Sequence, residues 1–180
     1  MLRFATTNEG KLDEARAHLR GVADVEQFDY DYLEIQSDDL AAIAARGARE
    51  SFEALGDSEP VIVDDAGLFI RAVGGFPGPY SAYVESTLGV ERVWTLARDL
   101  EDRRAAFRSV VAYADQDGVE TFEGTVRGTL VAPRGEGGFG YDPIFEYDGT
   151  TFAEMTTDEK NAISHRARAL SKLADWLAES

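Results

Sequence analysis

The chain has 180 residues, a length that suits one domain with a sizeable hydrophobic core. It contains 34 acidic residues against 18 basic ones, for a net charge of -16, and it has no cysteine. This composition excludes disulfides, thiolate catalysis and cysteine-ligated metals, and it argues against a nucleic-acid partner, which would need a basic face. No apolar run approaches membrane-spanning length and the first residues follow a strand pattern, so we expect a cytoplasmic protein with no membrane partner.

The predicted elements alternate in type along the chain. In order they are a strand at 2–6, a helix capped by Asn8, a strand at 25–30, a helix capped by Asp38 or Asp39, a buried strand at 61–65 that ends in two carboxylates, a loop at 74–80, a helix at 90–100, a long hairpin of 105–114 and 119–128, a glycine-rich loop at 134–143, and a final helix from Ser164. Because a strand–helix–strand start is joined to a long hairpin, we predict an α/β fold with a mixed sheet, in a single domain spanning 1–180.

The acidic balance constrains any anion site. Lysine occurs only at Lys11, Lys160 and Lys172, and the other basic side chains are arginines. So many carboxylates suit a high-salt cytoplasm, where salt screens their mutual repulsion, and they predict a halophilic source. A protein this negative can hold a polyanion only by concentrating cations locally or by recruiting a divalent metal.

The stretch TTNEGK, residues 6–11, follows the first predicted strand and opens the first helix. Thr6, Thr7 and Asn8 are hydrogen-bond donors, and Lys11 adds a cation one turn later. Free backbone N–H groups and the helix dipole make such a turn a favoured phosphate site. The alternative is an ordinary helix cap followed by a surface lysine.

Two carboxylates, Asp64 and Asp65, come directly after three apolar residues of a predicted strand. Carboxylates at such a position are typical magnesium ligands, and either could deprotonate a water. Because successive strand side chains point to opposite faces, only one of the two can easily face a given site, and the residues leave open which. Glu34 could supply a second ligand; the alternative role for an aspartate here is to cap a turn.

The loop GEGGFGYDP contains a literal G-x-G-x-x-G at Gly135, Gly137 and Gly140, but no helix pattern follows it, so it does not predict a dinucleotide site. Phe139 offers a stacking face and Asp142 a hydrogen-bond acceptor for a planar ligand. The alternative is a hairpin loop with an aromatic plug.

The stretch EKNAISHR places Lys160, His165 and Arg166 around a helix start at Ser164. Cations in the first turn oppose the helix dipole, which indicates a ligand rich in acceptors. For His165 alone, the alternative is a satisfied packing histidine.

TTNEGK, VDDAGL, GGFPGPYSA, GFGYDPIF and EKNAISHR together resemble the inosine triphosphate pyrophosphatase family, also called XTP/dITP diphosphatases, in order and spacing over nearly the whole chain. The resemblance implies an elongated α/β fold of two lobes around a long mixed sheet, with a substrate cleft between the lobes. It also implies a homodimer and a Mg²⁺ requirement.

The resemblance assigns roles motif by motif. The turn that holds the triphosphate is Thr6, Thr7, Asn8, Glu9, Gly10 and Lys11. The metal-binding carboxylates are Glu34 and Asp65, and Asp65 is also the proposed general base, while Ala66 can contact substrate only through its backbone. Phe139 with Gly140 stacks on the nucleobase, and the nucleobase pocket is formed by Tyr141, Asp142, Lys160, His165 and Arg166. Two departures stand out, because the family often has serine at the position of Ala66 and arginine at the position of Tyr83.

The implied reaction hydrolyses the deaminated purine nucleotides ITP, dITP and XTP to the monophosphate plus pyrophosphate, by Mg²⁺-dependent water attack at the α-phosphorus. A cationic donor, Arg166 or Lys160, aimed at the 6-oxo group would reject adenine, which presents an amino group there. Rival functions are a pyrophosphatase for modified pyrimidine or methylated nucleotides, a nucleotide-sensing module without turnover and, least favoured by the charge, a nucleic-acid-binding module.

Overall fold

The computed structural model describes residues 1–179, which contain eight β-strands and six α-helices. The strands are β1 (Leu2–Ala5), β2 (Val25–Phe28), β3 (Val61–Ile70), β4 (Pro77–Gly78), β5 (Arg104–Ala114), β6 (Val119–Leu130), β7 (Phe145–Tyr147) and β8 (Thr150–Thr151). The helices are α1 (Glu9–His18), α2 (Leu40–Ala54), α3 (Ser81–Leu88), α4 (Val90–Ala97), α5 (Thr157–Ile163) and α6 (His165–Glu179). Within residues 1–179, no helix combines the length and apolar character needed to cross a bilayer.

The eight strands form one mixed sheet in the order β2-β1-β3-β5-β6-β7-β8, with β4 paired to β3. Strand β1 runs parallel to both β2 and β3, whereas the pairs β3–β4, β6–β7 and β7–β8 are antiparallel. The predicted α/β class with a long mixed sheet is therefore confirmed.

The chain divides into two compact units, each with its own core. The first unit comprises residues 1–65, 109–124 and the segment from 165 onward, and the second comprises 66–108 and 125–164. The core of the first is built from residues including Leu2, Phe4, Leu12, Leu19, Ile62, Leu170 and Leu173. The core of the second includes Leu68, Phe107, Leu130, Ile144, Phe145 and Phe152. The single domain over 1–180 stays a prediction, and Ser180 lies outside the described residues.

Local signals account for the first two helices. Asn8 caps α1, because its side chain accepts a hydrogen bond from the Lys11 N–H at 3.1 Å. Asp39, rather than Asp38, caps α2 by accepting from the backbone N–H groups of the next turn. Each cap satisfies donors that the helix itself leaves unbonded.

Several predicted boundaries are wrong. Strand β3 does not end at the two carboxylates but continues to Ile70, because Leu68 and Phe69 pair with β4 inside the segment predicted to be a loop. The helix predicted over 90–100 ends at Ala97. For β3, the pairing with β4 decides that the strand continues past the two carboxylates.

Two helices, α3 and α5, were not predicted from the sequence. Helix α3 follows the glycine- and proline-rich loop, and α5 precedes the final helix, so that Ser164 lies between α5 and α6. Helix α5 carries a sequence signal that could have revealed it. The Thr156 and Glu159 side chains bond each other's backbone N–H groups in a capping box.

Candidate active site

The turn between β1 and α1 has the form that its sequence predicts. The Thr6 hydroxyl accepts a hydrogen bond from the Asn8 N–H at 3.1 Å, and Asn8 then caps the helix. Thr7, Asn8 and Glu9 are exposed and Gly10 is half-buried. The N-terminal end of α1, with its backbone donors, therefore opens onto solvent, where an anion can reach it.

Lys11 already contacts strand β3 of the first unit. Its ammonium group donates to the Asp64 backbone carbonyl at 2.8 Å and lies 3.0 Å from the Asp64 carboxylate. The lysine thus reaches from the turn to β3 with its side chain about a fifth exposed. It links the predicted phosphate turn to the strand that carries both aspartates.

Asp64 lies at the centre of a buried network that we call the Asp64 cluster, which consists of Lys11, Glu14, Asp64, Ser109 and Arg166. The Arg166 guanidinium donates to Asp64 at 3.0 Å and to Glu14 at 2.7 Å, and Ser109 donates its hydroxyl to Asp64. Burial would raise the pKa of Asp64, but the charges of Arg166 and Lys11 outweigh it and hold that pKa well below its usual range.

The cluster balances its own charge and changes the interpretation of Arg166. Two cations face two carboxylates, and burial, which would lower the pKa of Arg166, is outweighed by Asp64 and Glu14, so the pKa stays raised. The positive charge in the first turn of α6 therefore has partners inside the protein, and an acceptor-rich ligand beside it stays a prediction. Asp64 is an ionised structural anchor with three side-chain donors.

Asp65, the next residue of β3, has different surroundings. It is half-buried, and its charge acts on the phenol of Tyr32, together with that of the exposed Glu34. Burial first, and then the charges of Asp65 and Glu34, hold the pKa of Tyr32 far above its usual range. The Tyr32 ring rests on helix α2, because a Cβ at Gly47 would lie 2.6 Å from a ring carbon.

These carboxylates fit a magnesium ion in kind and in number. Within residues 1–179, no group of three or more His, Cys, Asp or Glu side chains is arranged to hold a metal. Mg²⁺ in phosphate-handling sites is held by one or two carboxylates, with phosphate and water oxygens completing its octahedron. Glu34 and Asp65 are hard oxygen donors, and they would supply the one or two carboxylates that such an ion takes from the protein.

The second unit contains another polar group, formed by Phe139, Asp142 and Lys160, which we call the Asp142 group. The buried Lys160 ammonium donates to the Asp142 carboxylate at 2.7 Å and lies 4.3 Å from the centre of the Phe139 ring. The same Asp142 oxygen accepts the Phe139 backbone N–H at 2.9 Å. Phe139 itself is 40% exposed and offers an open aromatic face.

The glycine-rich loop is shaped around this aspartate. Gly138 has φ +70°, and a Cβ there would overlap the Asp142 carboxylate. Glycine is therefore needed both for the left-handed backbone and for the close approach. The neighbouring Tyr141 is buried and donates its hydroxyl to the Ser81 carbonyl at 2.7 Å, so this phenol holds the loop to the start of α3.

The predicted residues therefore fall into separate groups. The turn residues 6–11, with Glu34, Asp65, His165 and Arg166, belong to the first unit, whereas Ala66 and the residues of the Asp142 group, with Gly140 and Tyr141, belong to the second. His165 is buried at the start of α6, and Ala66 is half-buried within β3. The two departures from the family pattern lie at Ala66 and at Tyr83, which is exposed on α3.

Sequence reasoning missed three residues that the structure places here: Glu14, Tyr32 and Ser109. Glu14 is one carboxylate among many in an acidic chain, and nothing local distinguishes it. Ser109 carries a weak signal, since it is the one serine within the mostly apolar strand β5. Tyr32 lies in a segment without regular structure and is visible only through its packing on Gly47.

Comparison with known proteins agrees with this fold. The model of the Ham1 family matches residues 2–176. A protein of Methanopyrus kandleri named dITP/XTP pyrophosphatase is 53% identical over 96% of this chain and 94% of its own length, and one of Hyperthermus butylicus with the same name is 48% identical over 99% and 95%. A solved Ham1 protein from Coxiella burnetii superposes with a TM-score of 0.88 at 30% identity, covering 99% of this chain and 98% of that one.

The fold and its contacts define a mixed α/β protein with an exposed strand–helix turn and a buried ion-pair cluster. The chain belongs to the Ham1 family. The resemblance drawn from the five motifs is thereby confirmed.

Proposed function

We propose that this protein hydrolyses dITP and XTP, and ITP by the same chemistry, to the monophosphate and pyrophosphate. The observation that carries the proposal is the Asp64 cluster, which fixes Lys11 of the phosphate turn to the strand that bears Asp65. It occurs in a chain that is 53% identical to a protein named dITP/XTP pyrophosphatase over nearly full length. A nucleoside triphosphate pyrophosphatase needs these two elements, a phosphate cradle and a carboxylate beside it.

The turn supplies the donors for the triphosphate. Thr6, Thr7 and the Asn8 amide NH₂ group can donate to phosphate oxygens, and the backbone N–H groups of Glu9 and Gly10 lie at the start of helix α1. Lys11 adds a positive charge whose position is set by its two contacts with Asp64. Such preorganised donors stabilise charge on the departing pyrophosphate without reorganising during the reaction.

Glu34 and Asp65 would hold the Mg²⁺, with the remaining coordination positions taken by substrate and water. When bound, the ion would neutralise phosphate charge and lower the pKa of a coordinated water. The proteins in this family are typically metal-dependent, and a net charge of -16 makes charge neutralisation more important for an anionic substrate.

We assign the role of base to Asp65 rather than Asp64. A general base needs a carboxylate that can accept a proton near neutral pH. Asp64 accepts from Arg166, Lys11 and Ser109, and its lowered pKa opposes protonation. Asp65 then takes a proton from the water that attacks the α-phosphorus, and pyrophosphate leaves.

The Asp142 group is proposed to recognise the base. Phe139 would stack on the purine ring, and Lys160 would donate to the 6-oxo group that hypoxanthine and xanthine share. Adenine presents a 6-amino group instead, so two donors would face each other, a buried mismatch that is worth several kcal/mol of discrimination. Gly140, Tyr141 and His165 remain predicted substrate-binding residues. Arg166, being paired with Asp64 and Glu14, acts through the cluster.

The cellular setting of this proposal is a high-salt cytoplasm. There the enzyme would remove deaminated purine nucleotides before polymerases incorporate them. We also propose that it works as a homodimer, without nucleic-acid or membrane partners. Sedimentation in molar KCl would test the dimer, and a melting temperature that fails to rise with KCl would contradict a halophilic origin.

Pyrophosphate release in high KCl with Mg²⁺ tests the activity. We expect fast release from dITP, XTP and ITP, slow release from ATP and GTP, and loss of release in Asp65→Asn. Asp175→Asn, an exposed change on α6, is the matched control and should keep full activity. Equal rates with all the nucleotides would contradict the proposal that the Asp142 group recognises the purine base. Nucleotide binding without release would favour the sensing module, and a preference for modified pyrimidines would favour the related pyrophosphatases.

A further inference from the structure

The second unit has a cationic pocket that shares no residue with the Asp64 cluster or the Asp142 group. Its rim is Arg71, Arg104 and Arg127, its floor includes Phe69, Ala105 and Ala106, and its volume is about 350 Å³. We call it the arginine pocket. It is unusual because acidic residues outnumber basic ones 34 to 18 in this chain.

The charge of the pocket is only partly offset. Asp102 accepts two hydrogen bonds from Arg104, at 2.8 and 2.9 Å, and lies 3.7 Å from Arg71. Within residues 1–179, Arg127 makes no ion pair and is exposed at the rim. One carboxylate therefore contacts two of the three guanidinium groups, which leaves a local positive surplus. Asp102 also restrains two of the three groups, so their order is established before any ligand arrives.

The floor of the pocket is apolar and held in place. The Arg108 guanidinium lies 4.8 Å from the centre of the Phe69 ring, in cation–π geometry. Ala105 is buried and Ala106 half-buried, and their short side chains leave the space open. The volume lies within the range of small-molecule sites, which combine apolar walls with a few fixed polar groups.

We propose that the arginine pocket binds an organic phosphate monoester with a flat apolar body, of about the size of a nucleoside monophosphate. Guanidinium groups bind phosphate oxygens in a fork-like, bidentate manner, which suits Arg71, Arg104 and Arg127. The phosphate offsets the positive surplus at the rim, and the apolar body covers the floor formed by Phe69 and the two alanines. The inference does not depend on the proposed hydrolysis.

AMP is the probe for this site, since it carries one phosphate and a flat ring. We would titrate the full chain with AMP and follow ¹H–¹⁵N resonances, with adenosine and inorganic phosphate as comparison ligands. Saturable shifts at Phe69, Ala106 and Gly128 are expected, and both comparison ligands should bind at least about tenfold more weakly because each lacks one half of the recognition.

Arg127→Gln is the informative variant, because it removes rim charge without breaking an ion pair. It should weaken AMP binding by about tenfold, as expected for a charge-assisted hydrogen bond. Arg98→Gln is the matched control, an exposed arginine paired with its neighbour Asp99, and should bind AMP unchanged. Both variants should release pyrophosphate from XTP at the wild-type rate when AMP is absent, so this test and that of the proposed function can fail separately.

Four outcomes would overturn the inference. The AMP shifts could be confined to Phe139 and its neighbours, which would place binding in the Asp142 group. Inorganic phosphate could bind as tightly as AMP, or Arg127→Gln could match Arg98→Gln. The variant could also alter self-association with AMP binding unchanged, which would assign the pocket to a second copy of the chain.

Discussion

Two buried aspartates, Asp64 in the first unit and Asp142 in the second, each pair with a cation but in different ways. Asp64 meets Lys11 and Arg166 at 3.0 Å each, and Arg166 is shared with Glu14, so the charges balance. Asp142 pairs with a single lysine.

A second carboxylate, Glu85, completes the surroundings of Asp142. Burial first, and then the charge of Asp142, raise the pKa of Glu85. The first cluster is therefore a closed network suited to fixing neighbouring elements, whereas the second keeps an excess of negative charge beside an open aromatic face.

The largest expected effect comes from Asp64→Asn. It leaves the buried Arg166 and the half-buried Lys11 with one carboxylate, so we expect a loss of about 3–5 kcal/mol in the free energy of unfolding. Asp142→Asn is the matched change and should lose only about 2–3 kcal/mol, since it deprives one cation of its carboxylate rather than two. Urea unfolding at constant KCl measures both. Equal losses would remove the distinction between the two groups.

Acid should act mainly on the Asp64 cluster. Because the pKa of Asp64 is lowered in the folded protein, its contribution to stability is present above the unfolded pKa of about 3.9. It is lost as the pH falls through the lower folded pKa. The stability difference between wild type and Asp64→Asn should therefore be constant from pH 7 to 5 and shrink below about pH 4. A difference that stayed constant down to pH 3 would contradict this, and urea unfolding across the pH series decides.

Gly138→Ala should damage the loop around Asp142. The new methyl group meets the Asp142 carboxylate, and the alanine must adopt a positive φ. We therefore expect a loss of about 2–4 kcal/mol in the free energy of unfolding. Gly149→Ala is the control, with φ +82° and no atom within 4 Å of the new Cβ, and should lose only about 1 kcal/mol. Thermal unfolding compares them. If the control loses as much as Gly138→Ala, backbone strain alone explains the effect and the close approach to Asp142 is unimportant.

The smallest effect is expected for Glu85→Gln. A carboxyl group whose folded pKa is raised contributes stability that is present below its unfolded pKa and is lost as the pH rises through the folded pKa. Removing the charge should stabilise the protein at pH 7 by less than about 1 kcal/mol, because solvent screens this partly exposed group. The gain should vanish at pH 4, as measured by urea unfolding at both values. A variant less stable at pH 7 would show that Glu85 has a favourable contact that outweighs its repulsion from Asp142.

Local sequence predicted most of what lies close together along the chain. Asn8 caps its helix through a backbone group three residues away, so residue type and position were enough, whereas for α2 they left Asp38 and Asp39 as alternatives and the structure selects Asp39. The β5–β6 hairpin and the glycine-rich loop were predicted for the same reason. Helix α5 was missed although its capping box is equally local, which shows an overlooked signal rather than an absent one.

The Asp142 group was also accessible from the sequence, because its members are near neighbours. Phe139 and Asp142 are 3 residues apart, and Lys160 follows 18 residues after Asp142. Phe139 and Asp142 lie in one loop, and Lys160 lies on the short helix α5. The arginine pocket was not predicted, since its rim comes from β5, β6 and the turn after β3, and no spacing along the chain connects these elements.

The sequence by itself determined the α/β class, the Asn8 cap, the strand–helix turn at 6–11 and the family to which the chain belongs. The tertiary structure alone decided what Asp64, Glu14, Ser109 and Arg166 do. Arg166 is separated from Asp64 by 102 residues and from Glu14 by 152, and Ser109 from Asp64 by 45. A buried ion pair forms only where folding brings both charges out of water together, so its partners cannot be read from local residue patterns.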